Sequence, residues 1–172
     1  LLGIFLILFM TTSVYSEENE LQITERLAYQ GDSKAQFKLG FMYIQGRGVS
    51  QDYNEAIYWY KKAAEQGAAE AQYNLGLTYL EGKGVVQDNK LAAYWFKKAA
   101  EQGDEDAQYN LGYLYEFGLG VTADHVKGHM WFNISVYFGF VNVSKARDLI
   151  SKKMTSEQIA EAQRMARDWI NK

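Results

Sequence analysis

The two histidines of the chain stand four residues apart and are the first place to look for chemistry. His125 and His129 follow Asp124, and imidazoles at positions i and i+4 lie on the same side of a helix. Such a pair holds a divalent cation well only when a third ligand completes the site. No third ligand lies nearby in sequence, and His129 stands where the other repeats described below have Ile57 and Ala93. The pattern therefore predicts no metal site and no cofactor.

Carboxylates and hydroxyls are plentiful, but they form no catalytic pattern. Glu81 and Glu116 lie at related positions of successive repeats, in a predicted groove that is open to solvent. A carboxylate pair needs a closed pocket to shift its pKa, so this pair is not expected to be catalytic. The sequence has no nucleophile elbow, no Ser-x-x-Lys element with its companions, and no histidine-based triad that can be assembled. We therefore predict that the protein is not an enzyme and has no catalytic residues.

The elements that would position any site are set by an internal repeat of 36 residues. Twelve of the 15 glycines recur at four equivalent positions, and a period of this length is typical of stacked helical hairpins. The predicted boundaries are 31–66 for repeat 1, 67–102 for repeat 2 and 103–139 for repeat 3. Each block contains two helical patterns separated by a glycine-rich turn, which predicts an all-α, right-handed α/α solenoid.

Each repeat carries the same set of structural residues. A mid-helix glycine costs about 1 kcal/mol relative to alanine, so its recurrence indicates that the second helix crosses close to the backbone, with small Ala56, Ala92 and Gly128 facing it. A Gly-x-Gly-Val turn then ends the first helix in left-handed conformations, and an aspartate caps the second helix. The predicted structural signature consists of Gly40, Gly76, Gly112, Gly82, Gly84, Trp59, Trp95 and Trp131.

Both ends of the array have the features of caps. Residues 17–30 predict an N-terminal capping helix, and residues 140–172 predict a closing helical pair whose second helix opens with a capping box at 155–158. Such ends cover the exposed faces of an open solenoid. In repeat 3, Gly128 and Ser135 replace alanines, so we expect its second helix to pack differently against the C-terminal cap.

Residues 1–16 predict a secretory signal peptide. The run 1–10 is uninterruptedly apolar, and Val14 and Ser16 put branched or small residues at the −3 and −1 positions of a cleavage site. The run is shorter than the about 20 apolar residues that span a membrane, so we expect no membrane span after cleavage. The alternative is an uncleaved N-terminal anchor. Cleavage predicts an exported protein, periplasmic or secreted.

Charge and cysteine content narrow the range of partners. Cysteine is absent, so no disulfide framework supports the fold. The formal net charge is −3, with 11 basic and 17 acidic residues in 17–139 against 7 and 4 in 140–172. No basic stripe emerges that would attract a phosphate backbone, so nucleic acid is not expected as a partner.

Repeat 2 carries the most complete form of the pattern. Residues 71–88 read AQYNLGLTYLEGKGVVQD, and residues 92–103 read AAYWFKKAAEQG. This pattern resembles the Sel1-like repeat family, a relative of the tetratricopeptide repeat, from which the 36-residue period and the Gly-x-Gly-Val turn distinguish it. The resemblance implies a non-catalytic scaffold or adaptor that binds a protein or peptide partner. We expect the protein to be a monomer.

The related tetratricopeptide geometry implies a concave groove along the first helices, with acidic residues toward one margin. Phe41, Leu77 and Tyr113 occupy a position that the repeat pattern leaves free, so we expect them to set specificity. Tyr73 and Tyr109 match the family pattern, and core packing is an equal alternative for them. The predicted groove consists of Phe37, Phe41, Ile44, Tyr73, Leu77, Leu80, Tyr109 and Tyr113.

Two other functions remain open at this point. A carbohydrate- or peptidoglycan-binding module would use aromatic platforms, but a helical groove suits an extended or helical peptide better. The resemblance also extends to cysteine-rich secreted relatives linked to β-lactam binding, which implies a hydrolase-like alternative. Those relatives staple each repeat with disulfides, and this chain has no cysteine.

Overall fold

The computed structural model describes residues 20–140 and 143–172, and this part of the chain contains nine α-helices and no strand. Helix α1 covers residues 20–29. The others are α2 (Ser33–Gln45), α3 (Tyr53–Glu65), α4 (Ala69–Glu81), α5 (Asn89–Glu101), α6 (Glu105–Phe117), α7 (His125–Tyr137), α8 (Ser144–Ser151) and α9 (Ser156–Ile170). The all-α fold class is confirmed, whereas the predicted signal peptide lies outside the described residues.

The described residues divide into two compact units, one up to residue 71 and the other from residue 72 onward. In the first unit, α2 packs on α3, and Ala28 of α1 joins Leu39 and Trp59 in a small buried core. In the second unit, α7 packs against α6, α8 and α9, and α5 packs against α6. None of the described helices is both long enough and apolar enough to cross a bilayer.

The turn inside each hairpin has the predicted glycine geometry. Gly46 and Gly118 end α2 and α6 with φ of 65° and 67°, and Gly48 and Gly120 follow with φ of 73° and 71°. All four angles lie in the left-handed region, which favours glycine. The aspartate that follows caps the next helix, as in Asp52, whose carboxylate accepts the backbone N–H groups of residues 54 and 55.

Close approach at the mid-helix glycines is confirmed, but the group lying over each glycine is mainly an aromatic ring. A Cβ at Gly76 would lie 2.6 Å from Cδ1 of Phe96, and one at Gly40 would lie 2.7 Å from Cδ1 of Tyr60. The predicted small residue Ala56 contributes its carbonyl oxygen, 3.0 Å from the same Cβ of Gly40. The prediction therefore placed the helix crossing correctly and overlooked the ring that fills it.

The C-terminal helices close the second unit as the sequence predicts. Thr155 and Gln158 exchange both hydrogen bonds of the capping box at the start of α9. Gly128 leaves room for α8, because a Cβ there would lie 2.9 Å from Cδ1 of Ile150. The Ser135 hydroxyl donates a hydrogen bond of 3.1 Å to the carbonyl of Glu105. Repeat 3 thus packs differently from its predecessors at the two substituted positions.

Candidate protein-binding surface

The eight predicted groove residues fall into two classes by exposure. Phe41 in α2 and Tyr113 in α6 occupy equivalent repeat positions and expose 42% and 40% of their surface. The half-buried residues are Phe37, Ile44, Tyr73, Leu77, Leu80 and Tyr109. Of the three residues predicted to set specificity, Phe41 and Tyr113 thus have the accessibility that a contact with a partner requires, and Leu77 has less.

In the first unit, the predicted groove residue Phe37 lines a cavity. Phe37 stacks on Phe41 and on Tyr60, with ring centroids 6.5 and 5.5 Å apart. This cavity has a volume of ≈ 350 Å³. It is lined by Ser33, Lys34, Phe37, Ala68 and Glu70. An apolar ring between a lysine and a glutamate can hold a side chain of a bound segment.

In the second unit the predicted groove residues also serve the core. Tyr73, Leu77 and Leu80 pack against its buried apolar cluster. Tyr109 packs against Phe132 and Phe140, with ring centroids 5.8 and 5.6 Å away. Their half-burial means that truncation of these side chains would disturb the fold, so they are poor choices for separating binding from stability.

Acidic groups surround the partly buried tyrosine of α4. Burial, followed by the carboxylates of Asp106, Asp104 and Glu81, raises the pKa of Tyr73 to about 12. Burial and then the neighbouring Glu105 raise the pKa of Asp106. The phenol is therefore neutral at neutral pH. The carboxylates near it give this surface a negative potential, which favours a positively charged group.

The repeated hairpin with its glycine turn, its capping aspartate and its ring-over-glycine crossing is a specific combination. The Sel1 repeat pattern matches residues 33–67, 69–104 and 105–135. The chain belongs to the Sel1 repeat family. Proteins of this family are generally protein-interaction scaffolds and typically lack catalytic activity.

Solved structures of Sel1 repeat proteins are similar to this chain. A Sel1 repeat protein from Oxalobacter formigenes is 38% identical, with a TM-score of 0.70 over 75% of this chain and 97% of its own. The protective antigen c5321 of uropathogenic Escherichia coli, which displays the same fold, is 34% identical over 88% of this chain and 40% of its own, with a TM-score of 0.57. No curated protein matches the chain in sequence.

A more distant structure shares the Sel1 fold. The cysteine-rich protein B of Helicobacter pylori is 23% identical, with a TM-score of 0.59 over 75% of this chain and 96% of its own. At this identity the likeness concerns the fold alone. This chain builds the same hairpins without any cysteine, so packing and capping must supply the stability.

Sequence reasoning missed a polar cluster that the Sel1 hairpin of repeat 3 forms with the cap. His129 is 2% exposed, its Nε2 lies 3.0 Å from Oγ of Ser151, and its Nδ1 lies 2.9 Å from Nδ2 of Asn133. Ser151 donates its own proton to the carbonyl of Arg147 at 2.8 Å. Only the approach of α8 to α7 brings Ser151 to the histidine, and no sequence motif announces it.

This cluster contains the residue types of a Ser-His-Asn triad, but its hydrogen bonds run in a different direction from those of a catalytic triad. With the Ser151 hydroxyl donating to the carbonyl of Arg147, the tautomer that completes the network has Nε2 of His129 donating to Ser151 and Nδ1 accepting from Asn133. A general base needs an unprotonated nitrogen facing the nucleophile. In this tautomer the cluster joins α8 to α7, and Nε2 carries a proton toward Ser151 instead of accepting one.

The histidine pair is also unsuited to metal binding. Both ring nitrogens of His129 are engaged, and Asp124 caps α7 while pairing with Nζ of Lys127 at 3.0 Å. Burial, followed by Arg147, lowers the pKa of His129 and keeps the ring neutral. Across residues 20–140 and 143–172, no group of three potential ligands could hold a metal ion. The two carboxylates singled out in sequence are both paired, Glu116 with Nζ of Lys153 at 3.1 Å and Glu81 with Nζ of Lys83 at 2.6 Å.

Several exposed aromatic residues were absent from the predicted groove. Phe117 lies 4.6 Å from the ring of Tyr113 and stands where repeats 1 and 2 have Gln45 and Glu81. A position-by-position comparison of the repeats would have found it, since an aromatic residue replaces two polar ones. The other exposed aromatic residues include Tyr58, Tyr94, Tyr137 and Phe138.

Proposed function

We propose that this Sel1 repeat protein is a non-catalytic adaptor that binds a segment of a partner protein along its first helices. The observation that carries the proposal is the exposure of an aromatic side chain, Phe41 or Tyr113, at the same pattern-free position of two repeats. Anchor residues of protein interfaces are typically aromatic, and truncation of one costs about 2 kcal/mol or more. Scaffold function is also general in the family.

Charge supports a partner segment with basic residues. Asp106 forms no ion pair among the described residues, and its charge contributes to the raised pKa of Tyr73. A lysine or arginine of the partner could pair with this carboxylate while apolar side chains contact the rings. Such complementarity mainly raises the rate of association and excludes wrong partners.

The test replaces the two exposed anchors together. Phe41→Ala with Tyr113→Ala should weaken binding by more than about tenfold, equivalent to about 1.4 kcal/mol, while the melting temperature stays near that of the wild type. The partner is first identified by photo-crosslinking from position 113 in the native compartment. Affinities of the purified proteins are then measured by calorimetry.

A matched control is available on the second helices. Tyr58 and Tyr94 are also exposed aromatic residues at equivalent positions of two repeats, so Tyr58→Ala with Tyr94→Ala removes similar surface elsewhere. If the control weakens binding and the test variant does not, the second helices form the interface and the proposal is wrong. Binding of purified peptidoglycan fragments, with no protein crosslinked, would favour the carbohydrate alternative.

We also propose that the protein acts after export, in the periplasm or outside the cell. The support is the apolar run of residues 1–10 with a cleavage pattern at Val14 and Ser16. Mass spectrometry of the protein from its native compartment should give an N-terminus at or near Glu17. An intact N-terminal segment would instead support the membrane anchor.

A further inference from the structure

A glutamine at the end of each second helix completes a hydrogen bond in the first two repeats. Gln66 donates from Nε2 to Oε1 of the buried Gln36 at 2.7 Å, and Gln102 donates in the same way to Gln72 at 2.7 Å. Gln36 in turn donates to the carbonyl of Ala28 at 3.1 Å. The buried amide of repeat 1 is thereby satisfied at both its oxygen and its nitrogen.

Repeat 3 lacks the last donor of this series. Gln108 donates to the carbonyl of Ala100 at 3.3 Å, but Phe138 occupies the position of Gln66 and Gln102. The side chain of Gln108 is fully buried, and its Oε1 has no hydrogen-bond partner among the described residues. An unsatisfied buried acceptor costs about 1–3 kcal/mol, so the exchange of glutamine for phenylalanine needs a compensating benefit.

The residue that replaces the donor lines a cavity. Phe138 is 46% exposed, and the preceding Tyr137 is 64% exposed, where repeats 1 and 2 have the polar pair Glu-Gln. The ring of Trp169 from α9 lies 6.1 Å from that of Phe138. The cavity has a volume of ≈ 440 Å³ and is lined by Glu101, Gln102, Gly103, Phe138, Trp169, Ile170 and Lys172.

We propose that this cavity is a subsite for a glutamine or asparagine side chain of a partner protein, flanked in the partner by an apolar residue. The primary amide supplies the N–H that repeat 3 lacks, and the apolar residue packs on Phe138 and Trp169. The chain itself shows this pairing, because the carboxamides of Gln66 and Gln102 donate to the equivalent glutamines of the first two repeats. Gln108 is closed to solvent and does not itself line the cavity, so the amide reaches its Oε1 only when the side chains between them move aside.

Two variants at position 138 distinguish the contribution of the unsatisfied Gln108 acceptor to binding from that of the apolar cavity. Phe138→Gln places the chain's own donor opposite Gln108, as in repeats 1 and 2, and should satisfy the acceptor without a ligand. Phe138→Ala removes the same ring but leaves the acceptor open. Position 138 is distinct from the proposed anchor positions 41 and 113, so failure of this proposal would not count against the proposed adaptor function.

The probes are the acetylated tripeptides Leu-Gln-Leu and Leu-Met-Leu with N-methylamide ends, so that glutamine carries the only primary amide. Binding to the full chain is followed by NMR through the side-chain amide of Gln108 and the indole of Trp169. The wild type and Phe138→Ala should bind the glutamine peptide at least about fivefold more tightly, as one hydrogen bond predicts. Phe138→Gln should lose this preference and melt at a higher temperature.

Each remaining outcome contradicts the proposal. Equal binding of the two peptides by the wild type, or no binding of either, would mean that the acceptor is not used for recognition. A preference that persists in Phe138→Gln would place the amide elsewhere. Shifts confined to residues away from Gln108 and Trp169 would mean that the cavity is not the binding site.

Discussion

Repeats 1 and 3 close their hairpins in the same way but make different contacts beyond the hairpin. In both, an aromatic ring lies over the mid-helix glycine, Gly40 or Gly112, and a Cβ on either glycine would lie 2.7 Å from that ring. The second turn glycines, Gly48 and Gly120, have φ of 73° and 71°. Yet a Cβ at Gly48 would find its nearest neighbour 3.7 Å away, whereas one at Gly120 would collide with the backbone of Asn89.

The difference teaches that local rules determine the hairpin, and that neighbours determine what else each position must do. Gln66 satisfies Gln36 in repeat 1, while Phe138 leaves Gln108 without a donor in repeat 3. Gly128 of repeat 3 admits Ile150 of the cap, where repeat 1 has Ala56. The repeat that contacts the cap departs most from the pattern, as expected where a sequence serves a second purpose.

The turn glycines give the largest expected contrast. Gly48→Ala should cost only the left-handed conformation, about 1–2 kcal/mol of unfolding free energy. Gly120→Ala adds an overlap with backbone atoms of Asn89, so its total cost should reach about 3–5 kcal/mol. Urea denaturation of both variants measures the difference. Equal losses would mean that the turn of repeat 3 does not rest on α5.

The mid-helix glycines should instead behave alike. Gly40→Ala and Gly112→Ala each press a methyl group against a ring, which costs about 1–3 kcal/mol, and each regains up to about 1 kcal/mol of helix propensity. We expect net losses of about 1–2 kcal/mol that agree between the two variants. A loss at only one site, measured in the same urea titrations, would show that the two hairpins are not packed equivalently.

The same contrast shows what the sequence could predict. The period and the glycine spacing predicted the hairpins, their turns and their aspartate caps, because these features depend on residues close together in the chain. Ser151 beside His129 and the missing donor for Gln108 could not be predicted in this way, since each depends on how one helix packs on another. The exposed Phe41 and Tyr113 followed from the repeat pattern, and their role in binding stays a prediction.

A substitution at Gln66 would make repeat 1 resemble repeat 3, with a smaller expected effect on the free energy of unfolding. Gln66→Ala leaves Oε1 of Gln36 buried without a donor, as Phe138 does for Gln108, and should cost about 1–2 kcal/mol. Gln66→Glu serves as a control, because a carboxylate cannot donate and should cost at least as much. Wild-type stability in both variants would mean that water readily replaces the lost donor, and it would remove the energetic reason for a ligand at Gln108.

The smallest expected effect is a pH dependence confined to the cap of repeat 3. Burial, followed by Arg147 and opposed by Asp148, lowers the pKa of His129 below its ordinary value of 6.5. Between this lowered pKa and pH 6.5 the unfolded chain binds a proton that the folded chain does not, so stability falls as the pH falls through this window. Above pH 6.5 the contribution is complete, and below the folded pKa no further loss arises from this group.

The pH dependence is tested by comparing wild type with His129→Gln, which keeps a side chain able to donate to Ser151 and to accept from Asn133. Unfolding free energies are measured from about pH 7.5 to about pH 5.5, the range in which an ordinary histidine titrates. The wild type should lose more stability across this range than the variant does, and His125, present in both proteins, cancels in the comparison. Parallel curves would mean that His129 accepts a proton as easily in the folded chain as in the unfolded one.

Because the cluster joins α7 to α8, NMR signals of α8 should change first on acidification. The signals of repeat 1, which has Ile57 at the position of His129, should not change.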